Sequence, residues 1–150
     1  MGGYYQGNGR FYGRPWVALY GAFSDYPQAT LAFRLDGEPT GAATLIVTGL
    51  DDELAEPNQL AIEINGQQVF NGASPFPNWD GIGNGAGAAW TPVTITLPLG
   101  LLHAGRNEIT IANLTPAANF GAPPYILLSD ATLQAPGARI VVQSREGRGG

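Results

Sequence analysis

The residues able to do chemistry are few, and their spacing argues for holding a ligand rather than transforming one. The only histidine, His103, stands in LGLLHAGRN between two strand patterns. A hydrolytic triad would have to be built on it, yet its neighbours are turn residues and no Gly-x-Ser-x-Gly elbow accompanies it. The chain has no cysteine, which removes thiol nucleophiles, zinc-thiolate sites and any disulfide framework. Asp51-Asp52-Glu53, with Glu56 close behind, is a dense acidic group after the strand pattern LIVTG. Adjacent carboxylates on one loop do not straddle a substrate at the roughly 5 to 9.5 Å that glycoside hydrolysis uses. They read either as a solvated turn or as oxygen ligands for calcium, at a spacing that is not an EF-hand's. Asp130 poses a related question. It falls late in a strand that begins almost wholly apolar, where an unpaired carboxylate is costly, so it needs a calcium ion, an arginine such as Arg34, or backbone donors.

The longest stretch without strand pattern is residues 72–89, GASPFPNWDGIGNGAGAA, and loops of that length often bind ligands. Phe76 and Trp79 lie among Pro75, Pro77, Asn78, Asp80 and Asn84. An exposed ring offers a flat apolar face to the C–H side of a pyranose, while amides and carboxylates match its hydroxyls. The same rings could fold inward and plug one end of the domain, and both arrangements fit the sequence. Asn119 and Phe120, in PAANFGAPPY, join a binding face if that loop lies beside the first. Trp16 and Trp90 each open a strand and read as core or rim. GNGAG lacks the lysine and the strand-to-helix setting of a nucleotide loop. Asn113-Leu114-Thr115 is a glycosylation sequon only in a chain secreted through a eukaryotic pathway.

These residues must be positioned by strands. LAIEINGQQVF, residues 60–70, is a hairpin: Asn65-Gly66 tolerates the two positive φ angles of a type I′ turn, and apolar residues alternate on both sides. With that turn, Ile64 faces Gln67, Ile62 faces Val69, and Glu63 shares the opposite face with Gln68. WTPVTITL places Val93, Ile95 and Leu97 on one face, and Ile109 and Ile111 alternate with Glu108 and Thr110 in the next strand. QATLAFRLD turns Leu31, Phe33 and Leu35 inward. YILLSDATL reads as a central strand buried on both faces at its start, and ARIVVQ adds a further strand. No stretch carries a helix period with a cap. Eight or so short strands with Pro and Gly turns make an all-β, two-sheet antiparallel sandwich of jelly-roll type.

The 150 residues suit one domain, with a net charge of -5 and seven basic residues, all arginine, scattered along the chain. A sequence-independent grip on nucleic acid is therefore not expected. No apolar run reaches the roughly 20 residues of a membrane span. The sandwich is expected over 16–135. Residues 1–15 mix Gly with Tyr4, Tyr5, Phe11 and Tyr12 and read as an edge strand, either on their own domain or donated to the next copy. Met1-Gly2-Gly3 reads as an added start, and SREGRGG, after the extra strand in 136–150, as the opening of a linker.

INGQQVF, then LPLGLL, AGRNEITIAN and PPYILLSDATL, together resemble the galactose-binding-domain-like jelly rolls, which include non-catalytic carbohydrate-binding modules. The match lies in Leu102, Gly105, Asn107, Ile109 and Ile111, after a strand that ends in Asn-Gly. The resemblance implies a non-catalytic module that binds a glycan, outside the cell or on its surface, and a structural calcium near one end of the sandwich. The other expectation is a structural sandwich that self-associates by strand addition. Exposed rings on the long loop would favour the first, and an unpaired N-terminal strand the second.

Overall fold

The computed structural model of the chain describes residues 4–7, 14–52, 57–76, 90–121 and 124–141. Among them are ten strands and no helix: β1 (Tyr5–Gln6), β2 (Val17–Leu19), β3 (Gln28–Leu35), β4 (Ala43–Asp52), β5 (Gln59–Ile64), β6 (Gln67–Ala73), β7 (Thr91–Leu97), β8 (Gly105–Asn113), β9 (Tyr125–Gln134) and β10 (Ile140–Val141). They form two antiparallel five-stranded sheets, ordered β1-β2-β9-β4-β7 and β10-β3-β8-β5-β6. The alternation expected in β7 and β8 holds, and Leu45, Val47, Leu60, Ile62, Ile111 and Ile126 meet between the sheets. Each side chain so buried stabilises the fold by about 1.5 to 3 kcal/mol. Ile126, Leu127 and Leu128 are all buried, as a central strand covered on both faces requires. Leu31 does face the interior side of β3 but is 42% exposed, because the sheets leave an open apolar groove there beside Val17, Val47 and Leu128.

The Asn65-Gly66 turn has φ of 51° and 84°, as a type I′ turn demands. Its geometry is held from both sides. The Asn65 amide donates to Leu101 O at 2.8 Å and to Asn107 Oδ1 at 2.9 Å, while Asn65 Oδ1 accepts from Glu108 N at 2.8 Å. Asn107 is buried and donates in turn to His103 O and Gly105 O, so the Gly-x-Asn of the sequence motif is the clasp of this turn. Gly105 fits there because its φ is +90°. Ile64 faces Gln67 and Glu63 faces Gln68 as expected, but Val69 then stands as a bulge and Ile62 lies opposite Phe70, not Val69.

A second bulge corrects another expectation. Thr48 pairs with Asp130 and Gly49 with Leu128, so Ser129 has no partner and the side-chain alternation of β9 reverses. Without that extra residue Asp130 would share the inward face of Ile126 and Leu128. With it, Asp130 is exposed, and its partner is Arg14 at 3.2 Å rather than Arg34. The pair is open to water on both sides and contributes at most about 1 kcal/mol.

Strand directions sort the connections by end. β2 and β3, β4 and β5, β6 and β7, and β8 and β9 are consecutive strands in opposite sheets, and each pair changes sheet at the end where β2 and β4 finish and β9 begins. The opposite end carries the Asn65-Gly66 turn, residues 98–104 with His103, and residues 135–139. Asp51, Asn58 and Asn113 tie the first end together. Asp51 is fully buried and accepts from Asn58 through both the backbone N–H and the side-chain amide. Asn58 donates to Tyr125 O at 3.1 Å, and Asn113 donates to Leu19 O at 3.1 Å.

Candidate functional site

A second buried cluster covers the outer face of the first sheet at the end where the crossing loops meet. Ala18, Tyr20, Leu50, Trp90 and Leu127 form it, with Tyr5, Trp16, Tyr26 and Tyr125 packed around them. It exists because β2, β4 and β9 carry apolar residues on both faces there: Leu19 and Ile126 go inward while Ala18, Leu50 and Leu127 go outward. Trp90 is thus core and Trp16 rim, as their strand-opening positions suggest. β1 adds Tyr5 through its pairing with Ala18 of the same chain. Burial pushes the Tyr20 phenol above its ordinary value; a backbone hydrogen bond at Gly121 pulls the other way, and Tyr5 adds a smaller upward push.

Phe120 caps this cluster. Its ring centroid is 5.1 Å from that of Tyr5, 5.2 Å from Tyr20 and 5.7 Å from Tyr26, yet 59% of the residue remains exposed. Phe23, on the neighbouring loop, is 72% exposed. The two loops are joined edge to edge: Ala22 N donates to Thr115 O at 2.7 Å and Phe23 N to Ala117 O at 2.9 Å. Glycine is required at position 21, since a Cβ would stand 2.4 Å from Ala117 O. Between the loops lies a cleft of about 220 Å³ lined by Phe23, Ser24, Asp25, Tyr26, Asn119 and Phe120. That is below the roughly 300 to 1,000 Å³ of an enclosing ligand pocket, so the cleft suits one ring of a larger molecule. Ser24 Oγ donates to Gly21 O and accepts from Tyr26 N, which shapes the loop. Asp25 is exposed and has no partner among the described residues.

The expected site residues separate. Phe120 stands at the cleft, but Asn119 beside it is scaffold: its Oδ1 accepts from Gly21 N at 2.9 Å and its amide donates to Pro124 O at 2.6 Å. Phe76 is a plug and not a platform. It is 5% exposed and packs into the core, above Gly49, whose missing side chain leaves room for the ring: a Cβ there would be 3.1 Å from it. Asn78, Trp79, Asp80, Asn84 and Glu53 lie outside the described residues. Phe23, Asp25 and Tyr26 were not foreseen; GAFSDY, a ring and a carboxylate in a short break between two strand patterns, was the available signal.

Asp51 and Asp130 do not share one ion, and the acidic residues Glu53 and Glu56 lie outside the described residues. Asp51 is fully buried with both oxygens turned to Asn58, whereas Asp130 is exposed and paired with Arg14. The β9 residue opposite Asp51 is Ile126, four positions before Asp130, roughly 13 Å along the strand. Asp52 closes β4 with its Cα opposite Tyr125. Among the described residues no group of three or more His, Cys, Asp or Glu is placed to hold a metal.

Against known proteins, no family model and no curated sequence matches the chain. Solved structures do. A family 35 carbohydrate-binding module from an environmental isolate superposes with a TM-score of 0.56 at 14% identity, over 95% of this chain and 89% of that one. A family 35 carbohydrate-binding module from Clostridium thermocellum gives 0.53 at 18% identity, over 90% and 91%. At such identities the likeness is one of fold, and the fold is the galactose-binding-like jelly roll that the sequence motif resembles.

Proposed function

We propose that the chain is a non-catalytic carbohydrate-binding module, and that Phe23, Phe120 and Asp25 form its glycan contact. The observation that carries this reading is the pair of largely exposed phenylalanine rings on either side of a cleft with an unpartnered carboxylate. A phenyl face covers the C–H side of a pyranose, and a carboxylate accepts from its hydroxyls. The cluster beneath Phe120 holds one ring in place before the ligand arrives, which lowers the cost of ordering it on binding. The jelly-roll fold shared with carbohydrate-binding modules supports the reading, as does the convergence of the crossing loops at this end. A module of this kind belongs outside the cell or on its surface, as the resemblance implies.

Non-catalytic action is part of the proposal. His103 is exposed at the far end of the sandwich, with Nε2 3.3 Å from the Asn65 amide, in the service of the turn. Asp51 and Asp130 stand apart in the separate pairings described above. Assembly by a donated N-terminal strand has less support, because Tyr5 and Gln6 pair with Ala18 and Val17 of their own chain. A glycan array with the purified protein tests the function. Binding to at least one glycan, lost when Phe23 and Phe120 are both changed to Ala, is expected; no binding to any glycan overturns it.

A further inference from the structure

We infer that the cleft selects glycans by charge, taking uncharged or amino sugars and rejecting uronates. The inference rests on the proposed glycan contact and assigns its ligand class. Among the described residues the basic side chains keep away from the loop end, while the far end carries both signs, with Asp36, Glu38, Glu63 and Glu108 beside its arginines. At the end where β2 and β4 finish, Asp25 is exposed and Asp51 is fully buried, and no described arginine is there. The described arginines lie elsewhere. Arg34 and Arg106 are register partners where β3 ends and β8 begins, at the opposite end, and Arg139 follows the turn at 136–137 near them. Arg14 is held by Asp130, partway along β9.

Among the described residues, a ligand entering the cleft therefore meets one charged group, the Asp25 carboxylate, with no described cation nearby to neutralise it. An ionised carboxylate is an acceptor only. Hydroxyl groups of a neutral sugar can donate to it, and the ammonium of an amino sugar adds a charge-assisted bond. A uronate brings a second carboxylate to the same place, and like charges brought together at an interface cost affinity. The cleft is open, so salt weakens this discrimination without removing the hydrogen bonds.

The experiment is titration calorimetry with soluble oligosaccharides: neutral gluco-, xylo-, manno- and galacto-series, chitosan oligomers, and oligogalacturonates. Each is measured at low and at physiological salt, in chelator and in calcium. The expected result is binding among the neutral or amino members, with uronates at least tenfold weaker and the gap narrower at the higher salt. Asp25→Asn, a change at an exposed unpartnered side chain, should shrink the gap at least threefold while the melting temperature stays the same. Uronates bound as tightly as their neutral counterparts, in either buffer, overturn the inference and leave the proposed function standing. Failure of every oligosaccharide to bind overturns both. An unchanged gap in Asp25→Asn removes Asp25 as its cause and overturns the assignment.

Discussion

Phe23 and Phe120 should behave differently when truncated, because only one of them is packed. Phe23→Ala removes a ring that is 72% exposed, so glycan affinity should fall roughly tenfold, about 1.4 kcal/mol, with little change in melting temperature. Phe120→Ala should weaken binding by a similar factor and also lower stability by about 1 kcal/mol or more, since it loses ring contacts to Tyr5, Tyr20 and Tyr26. Calorimetric titration beside thermal unfolding reads both effects; equal melting shifts would mean that the packing is misassigned. Asn58→Ala removes the side-chain amide that donates to the buried Asp51 carboxylate and keeps the backbone N–H, so chemical denaturation should show a loss of about 1 to 3 kcal/mol. Single residues were only partly legible. The bulge at Ser129 decides that Asp130 faces water, and the gap over Gly49 decides that Phe76 faces inward. Both depend on neighbouring strands that local alternation does not name.

Strands themselves were read more surely, because a period of two and an Asn-Gly turn are properties of the chain alone. The φ of +84° at Gly66 makes Gly66→Val costly, by about 1 to 3 kcal/mol, and an unchanged denaturation midpoint would contradict the turn. Registers beyond a bulge were not readable, as the exchange of Val69 for Phe70 opposite Ile62 shows. Nor was the cleft, which two loops build from opposite sides of the chain's midpoint through backbone bonds that carry no sequence signature. β1 is the element whose removal tells most. It has only two residues, yet it brings Tyr5 under Phe120 and Gly7 against the Trp16 ring, where a Cβ would stand 2.2 Å away. Deleting residues 1–7 should lower the melting temperature by roughly 5 to 10 °C and weaken glycan binding, with the mass by light scattering unchanged. Oligomers that dissolve on deletion, at a constant melting temperature, would instead show a strand donated between copies.

Across the whole molecule the two hydrophobic clusters share their strands. β2, β4 and β9 contribute Leu19, Val47 and Ile126 to the space between the sheets, and Ala18, Leu50 and Leu127 to the aromatic cluster outside. The polar staple of Asp51, Asn58 and Asn113 lies where those strands end, and links both sheets through Leu19 O and Tyr125 O. Loss of either cluster therefore exposes the backbone that supports the other, and the candidate site is not a separately melting patch. Near-UV circular dichroism follows the packed tyrosines and tryptophans, whereas far-UV dichroism follows the strands. Their thermal midpoints should coincide within error, as a single cooperative transition requires. If the aromatic signal melts well below the strand signal, the outer cluster is a weakly coupled cap, and Phe120 would then owe its position to the ligand rather than to the fold.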